Sequence, residues 1–167
     1  IQTAEALKYD KVVICEGAIQ IHNFFIRADI IVKNGDHLKL IEVKSKSTES
    51  DDEHEFLTKR KPYSILSDDR PYFADIAFQQ YVMTEAFPKY HITPYLLLVN
   101  KTIPSNIDGL NQLFKMVSID IDGESRLTVE CDIERINTLQ DEIKDTVLEE
   151  VNVSKTVSSI LYDSDHG

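Results

Sequence analysis

The chain has 167 residues, 42% of them apolar and 28% charged, with a formal net charge of −11. That length suits one domain that buries roughly 70% of its unfolded surface. No apolar run approaches the ~20 residues of a membrane span, and no basic-then-apolar signal segment opens the chain.

Two cysteines, Cys15 and Cys131, exclude a disulfide framework and a Cys-rich metal site, so reduced thiols and a cytoplasmic location are expected. An opening Ile1 rather than Met is expected of a piece of a longer protein. So acidic a chain argues against a nucleic-acid partner until the charge is located. Residues 1–100 hold 12 Lys+Arg and 15 Asp+Glu, whereas residues 101–167 hold 6 and 14. The acidity therefore sits mainly in the last third.

Lys11 to Ile21 is rich in β-branched residues and reads as a strand ending at a His22-Asn23 turn. Phe24 to Lys33 reads as a second strand. Asn34-Gly35 is a strong hairpin signal, because both residues tolerate positive φ. Asp36 to Lys46 returns as a third strand.

A two-residue Asn34-Gly35 loop would pair Lys33 with Asp36 and set Asp29 opposite Leu40. Glu42 and Lys44 then lie on the side of Asp29, by the period of two, with Asp29 diagonal to Glu42. A His22-Asn23 loop would set Glu16 directly across from Asp29. Glu16, Asp29, Glu42 and Lys44 are thus expected on one face, with Ile26, Ala28, Ile30, Val32, Ile41 and Val43 on the other. Like charges opposed across a ladder repel by about 4 kcal/mol at ~4 Å and an effective dielectric near 20. A hard divalent cation with oxygen ligands would offset that, and Lys44 adds positive charge. The bland alternative is a solvated sheet face with Lys44 and Arg27 as counter-ions.

Residues 47–70 form a polar connection, with an acidic run followed by Lys59-Arg60-Lys61. Those three cations and Lys46 are candidates for contacts to substrate phosphates, while His54 reads as a loop residue. Pro71 suits a helix start, and Tyr72 to Phe87 is apolar at helical spacing, closed by Pro88. Asp75 and Gln79, four apart, share one face of that helix. Ile92 to Val99 reads as a buried strand reached by a helical crossover, hence parallel to its neighbour.

Leu113 to Ile121 and Leu127 to Cys131 suggest a short hairpin around Asp122-Gly123. Ile133 to Glu150 suggests an amphipathic helix with Ile136, Leu139, Ile143, Val147 and Leu148 as its stripe. The expected fold class is α/β: a mixed sheet of an antiparallel three-strand meander, a crossover helix and a parallel strand, flanked by helices. One domain is expected over 1–161, its core at about 11–101, with a frayed tail over 162–167.

A meander bearing Asp…Glu-x-Lys, followed by a helix and a buried strand, resembles the PD-(D/E)XK nuclease superfamily, of restriction-endonuclease-like fold. Three stretches look closest to its RecB-like branch, which includes the CRISPR-associated exonucleases: Ile14 to Ala18, Arg27 to Ile30 with Glu42 to Ser45, and Asp75 to Tyr81. The resemblance covers about residues 11–101. It implies Mg²⁺ or Mn²⁺ held by Asp29, Glu42, the Val43 carbonyl and Glu16. It also implies Lys44 at the attacking water, Gln79 pointing to the site, and a nucleic-acid substrate, in first place DNA.

The branch often has Tyr four places after that Gln, where this chain has Met83, and several relatives carry iron–sulfur cysteines that this chain lacks. Two other readings stay open: a catalytically inactive recognition or assembly module of a larger protein, and a hydrolase of small phosphate esters.

Overall fold

The computed structural model describes residues 2–61, 63–105, 107–139 and 147–162. In chain order the elements are α1 (Gln2–Ala6), β1 (Lys11–Ile21), β2 (Phe24–Asn34), β3 (His37–Thr48), a 3₁₀ turn (Glu53–Phe56), α2 (Arg70–Ala86) and β4 (His91–Asn100). A second 3₁₀ turn (Leu110–Leu113), β5 (Phe114–Ile121), β6 (Glu124–Cys131) and α3 (Ile133–Leu139) follow, then β7 (Leu148–Asn152) and α4 (Ser154–Tyr162). The chain forms two compact units: Ile1–Lys101 with Leu148–Gly167, and Thr102–Val147.

The first unit holds a five-stranded sheet in the order β1-β2-β3-β4-β7. It is mixed: β3 and β4 run parallel, and every other neighbouring pair is antiparallel. The fold is therefore α/β, with the meander and crossover helix that the hydrophobic patterning suggests. α2 begins at Arg70-Pro71, where a missing N–H costs nothing. Its Phe73, Ile76, Ala77, Val82 and Met83 recur at helical spacing and are buried against Ile31, Leu38 and Leu40 of the meander and Leu96 and Leu98 of β4.

The first hairpin has the expected register. Ile21 pairs with Phe24 across His22-Asn23, and the β1–β2 pairs from there to Lys11–Asn34 follow from that turn. The second hairpin is two places off: Asn34 pairs with His37, so the turn is Gly35-Asp36 and Ile31, not Asp29, opposes Leu40. Gly35 supplies the left-handed residue at φ +63, which leaves Asn34 in the ladder. A slip of two keeps every side chain on its face.

The expected faces need a correction of a different kind. Inward positions on β2 run Ile26, Ala28 and then Ile31, Lys33, so burial changes phase between Ala28 and Ile31. β1 changes phase at the same level: Gly17 and Ile19 are buried, while Val12 and Ile14 are the partly buried residues before the break. Between them stands Glu16 in the left-handed region at φ +55. Ile30 and Val32 are thus only partly buried, and Val43 is exposed.

Two further expectations change. The connection after β3 is not merely solvated: Phe56 is buried in the core, and Leu57 bridges to Ile65. Of the helix expected over Ile133–Glu150, Ile133–Leu139 is helical, residues 140–146 lie outside the described residues, and Leu148–Asn152 is instead a strand antiparallel to β4. Val151 and Val153 alternate into the core there, and the free edge of β4 decides the outcome. Ile143 of the expected stripe and the tail beyond Tyr162 lie outside the described residues. In the second unit β5 and β6 form the hairpin around Asp122-Gly123, both at positive φ.

Candidate active site

The site forms where two ladders are interrupted. β2 and β3 pair from Asn34–His37 as far as Ile30–Ile41. Beyond that point the Val43 N–H is taken by the carboxylate of Asp29, at 2.8 Å from Oδ2, in place of a strand partner. The Asp29 side chain is thereby anchored beside Glu42. On the other flank, β3 and β4 shift register between Val43 and Ser47. Lys44, Ser45 and Lys46 fall in that irregular stretch, and a bulge re-aims the side chains it carries.

Lys44 is re-aimed at two carboxylates. Its Nζ donates to Glu42 Oε1 at 2.6 Å and to Asp75 Oδ2 at 3.0 Å, and stands 5.5 Å from the Tyr72 ring centroid. α2 supplies the opposite wall through Asp75 and Gln79, one turn apart. Gln79 Nε2 donates to Glu42 Oε2 at 2.8 Å and to Asp75 Oδ1 at 3.2 Å. Both Glu42 and Gln79 are buried. Three elements therefore converge on one polar cluster at the margin of the core.

The charges are unevenly housed. Burial pushes the Glu42 carboxyl above its usual range; hydrogen bonds from Lys44 and Gln79 pull it back, and nearby Asp29 adds to the rise. Burial also acts on Asp75, but the hydrogen bonds from Lys44 and Gln79 win, and its carboxyl lies below the usual range. Burial alone would lower Lys44, yet its bonds to Glu42 and Asp75 raise it, so it is an ammonium at neutral pH. Two carboxylates, of Glu42 and Asp75, hold one cation, and a third, Asp29, stands near Glu42.

Of the residues singled out from the sequence, the structure brings Asp29, Glu42, Val43, Lys44 and Gln79 together. Glu16 goes elsewhere: its carboxylate pairs with Arg27 Nε at 2.7 Å, both side chains exposed. The left-handed backbone at Glu16 breaks the alternation that would have aimed it at Asp29. Lys46 is also committed, since its Nζ binds the buried Asp69 just before α2. Lys59, Arg60 and Lys61 are exposed in the connection that follows the 3₁₀ turn, and Lys61 lies 5.8 Å from the Tyr63 ring centroid. His54 belongs to the 3₁₀ turn itself. Asp75 was not among the predicted site residues; its spacing from Gln79 was the available signal.

Among the described residues, no three of His, Cys, Asp and Glu are placed to hold one metal ion together. The oxygens that do converge are hard carboxylate donors, those of Asp29 and Glu42, with the Val43 N–H holding the first. Gln79 Oε1 is buried and has no hydrogen-bond partner among the described residues. Two mutually repelling carboxylates beside an orphaned amide oxygen fit a small hard cation, since Mg²⁺ is commonly held by one or two carboxylates and completes its shell with water and phosphate. Comparisons with known proteins add no relative: no family model, no curated protein and no solved structure matches the chain.

Proposed function

We propose that the chain is a metal-dependent nuclease with a restriction-endonuclease-like core, hydrolysing phosphodiester bonds of DNA. The observation that carries this reading is the convergence of Asp29, Glu42, Lys44 and Gln79, from two strands and one helix, within hydrogen-bond range of one another or of a shared neighbour. Stability alone gives little reason to bury an acid and an amide against an ammonium with two further carboxylates beside them.

Asp29 and Glu42, with the Val43 carbonyl, would hold Mg²⁺ or Mn²⁺. The ion, when bound, supplies charge neutralisation and a more acidic water. The protein's own groups divide the rest. Asp29 is oriented by the Val43 N–H, and Gln79 fixes the Glu42 carboxylate. Lys44, held protonated by Glu42 and Asp75, serves as a hydrogen-bond donor towards a phosphate oxygen or the attacking water, and stabilises negative charge as it develops. Asp75 keeps Lys44 in place.

The test is cleavage of single- and double-stranded DNA with Mn²⁺ or Mg²⁺ by the wild type and by Asp29→Ala, Glu42→Ala and Lys44→Ala. Each variant is expected to lose activity by about 100-fold or more. Normal turnover in any of the three defeats the assignment.

One observation favours a second reading, an inactive recognition or assembly module. Lys44 and Gln79 already satisfy Glu42 and Asp75, as they would in a purely structural polar cluster. Metal-independent DNA binding without cleavage by the wild type would support it.

A further inference from the structure

A cavity of about 780 Å³ opens on the neighbouring face of α2, lined by Arg70 and Ala74 rather than by Asp75 and Gln79. Adjacent helical positions point about 100° apart, so this cavity and the acid cluster share a helix but not a face. Its volume lies within the range of small-molecule sites.

The charge of its wall runs against that of the chain. Arg70 and Lys155 line it as cations, with His54 beside them, in a protein of net charge −11. The acid in the lining, Glu53, is already committed: its Oε2 accepts from Thr156 N at 3.3 Å and Oγ1 at 3.2 Å, which caps the start of α4. Glu53 is buried, and Lys155 Nζ lies 3.9 Å from its other oxygen. With Arg70 and Lys155 against Glu53, the lining carries a formal charge of +1. Lys61 Nζ, 5.8 Å from the centroid of the Tyr63 ring that lines the cavity, adds to that sign.

The rest of the lining suits a flat, partly apolar group. The Tyr63 and His54 rings stand 5.7 Å apart in an edge arrangement, and Leu57, Ile65 and Ile160 supply aliphatic surface. A cationic rim and an aromatic-aliphatic wall in one concavity match a molecule with an anionic end and a planar ring.

We propose that this cavity binds a nucleoside 5′-phosphate, with the phosphate at Arg70 and Lys155 and the base against Tyr63 and Ile160. The same chemistry is offered by a free mononucleotide and by the 5′-phosphorylated end of a strand. The site stands whether or not the acid cluster cleaves DNA.

The experiment is isothermal titration of the whole chain in EDTA, which silences metal chemistry. The ligands are adenosine 5′-monophosphate, adenosine, inorganic phosphate, and a short single-stranded oligonucleotide with and without a 5′-phosphate. Saturable binding of the monophosphate, at least tenfold tighter than of adenosine or phosphate alone, is the expected result. Arg70→Gln/Lys155→Gln should weaken it at least tenfold. Lys155→Gln alone, at a solvent-exposed side chain, provides a second variant that leaves the fold intact by circular dichroism. Binding of the phosphorylated oligonucleotide, with none of the monophosphate, would assign the site to strand ends and also uphold the proposal. Absence of saturable binding for both, phosphate binding as tightly as the monophosphate, or indifference to both variants would overturn it. Loss of cleavage in Asp29→Ala with this binding intact would separate the two sites.

Discussion

Replacing Lys44 by methionine keeps most of the stem and removes the ammonium, so it isolates what that charge does. The ammonium donates to Glu42 at 2.6 Å and to Asp75 at 3.0 Å. Only 7% of the Glu42 side chain is exposed, so water replaces the lost donor poorly there. A hydrogen bond to a charged group of this kind contributes about 1.5–3 kcal/mol. Asp75 is 44% exposed, and solvent screening holds its share below about 1 kcal/mol. The expected loss is about 2–3 kcal/mol at pH 7, against 5–15 kcal/mol for a typical domain, so the variant still folds.

The pH dependence has a definite sign. The raised Glu42 pKa means that its contribution is full at low pH and is lost as pH rises through its folded value. Without Lys44 that pKa rises further and the loss deepens. Asp75, with a lowered pKa, contributes above the usual carboxylate range and loses its contribution as acid titrates it. Both effects make the gap between wild type and variant large at pH 7 and small near pH 3. Urea unfolding followed by far-UV circular dichroism at the two pH values measures it. A gap under about 0.5 kcal/mol at pH 7, or an equal gap at both, refutes the reasoning.

Three other substitutions probe the scaffold. Gly35→Ala places a Cβ at φ +63 with nothing within 4 Å, so its cost is conformational, about 1–2 kcal/mol by thermal melting, and Gly35→Asn should cost less. Gly17→Ala would put a methyl 2.8 Å from Ile31 Cδ1; a loss of about 1–3 kcal/mol is expected, with partial recovery in Gly17→Ala/Ile31→Val. Glu53→Ala removes the acceptor for Thr156 N and Oγ1, and should cost about 1–3 kcal/mol and raise amide exchange at the start of α4.

The sequence foretells some of this site and withholds the rest for identifiable reasons. The His22-Asn23 turn fixes the β1–β2 register because its flanks pair directly. Asn34-Gly35 marks a turn without saying which residue leads it; the resulting slip of two still leaves Asp29 and Glu42 together. Nothing in Glu16 announces a left-handed backbone, which asparagine or glycine would have signalled. The irregularity that aims Lys44 depends on pairing with β4, a strand about fifty residues away in the chain. Leu148–Asn152 has apolar residues compatible with either period, and tertiary pairing with β4 selects the strand. The helical pair Asp75 and Gln79 was legible as a pair. Its meeting with Glu42 required knowing where the helix lands.

The left-handed backbone at Glu16 has a consequence for how the molecule behaves in a crowd. β1 is an outer strand of the sheet, and its eleven residues would otherwise offer a long, regular row of N–H and C=O groups to any extended chain that met it. The kink divides that row into two short segments that turn their faces differently, and a charged Glu16 and its partner Arg27 stand at the break. An approaching strand can match one segment but not both. The residue that looked from the sequence like a fourth acid for a metal thus protects the sheet from edge-to-edge self-association.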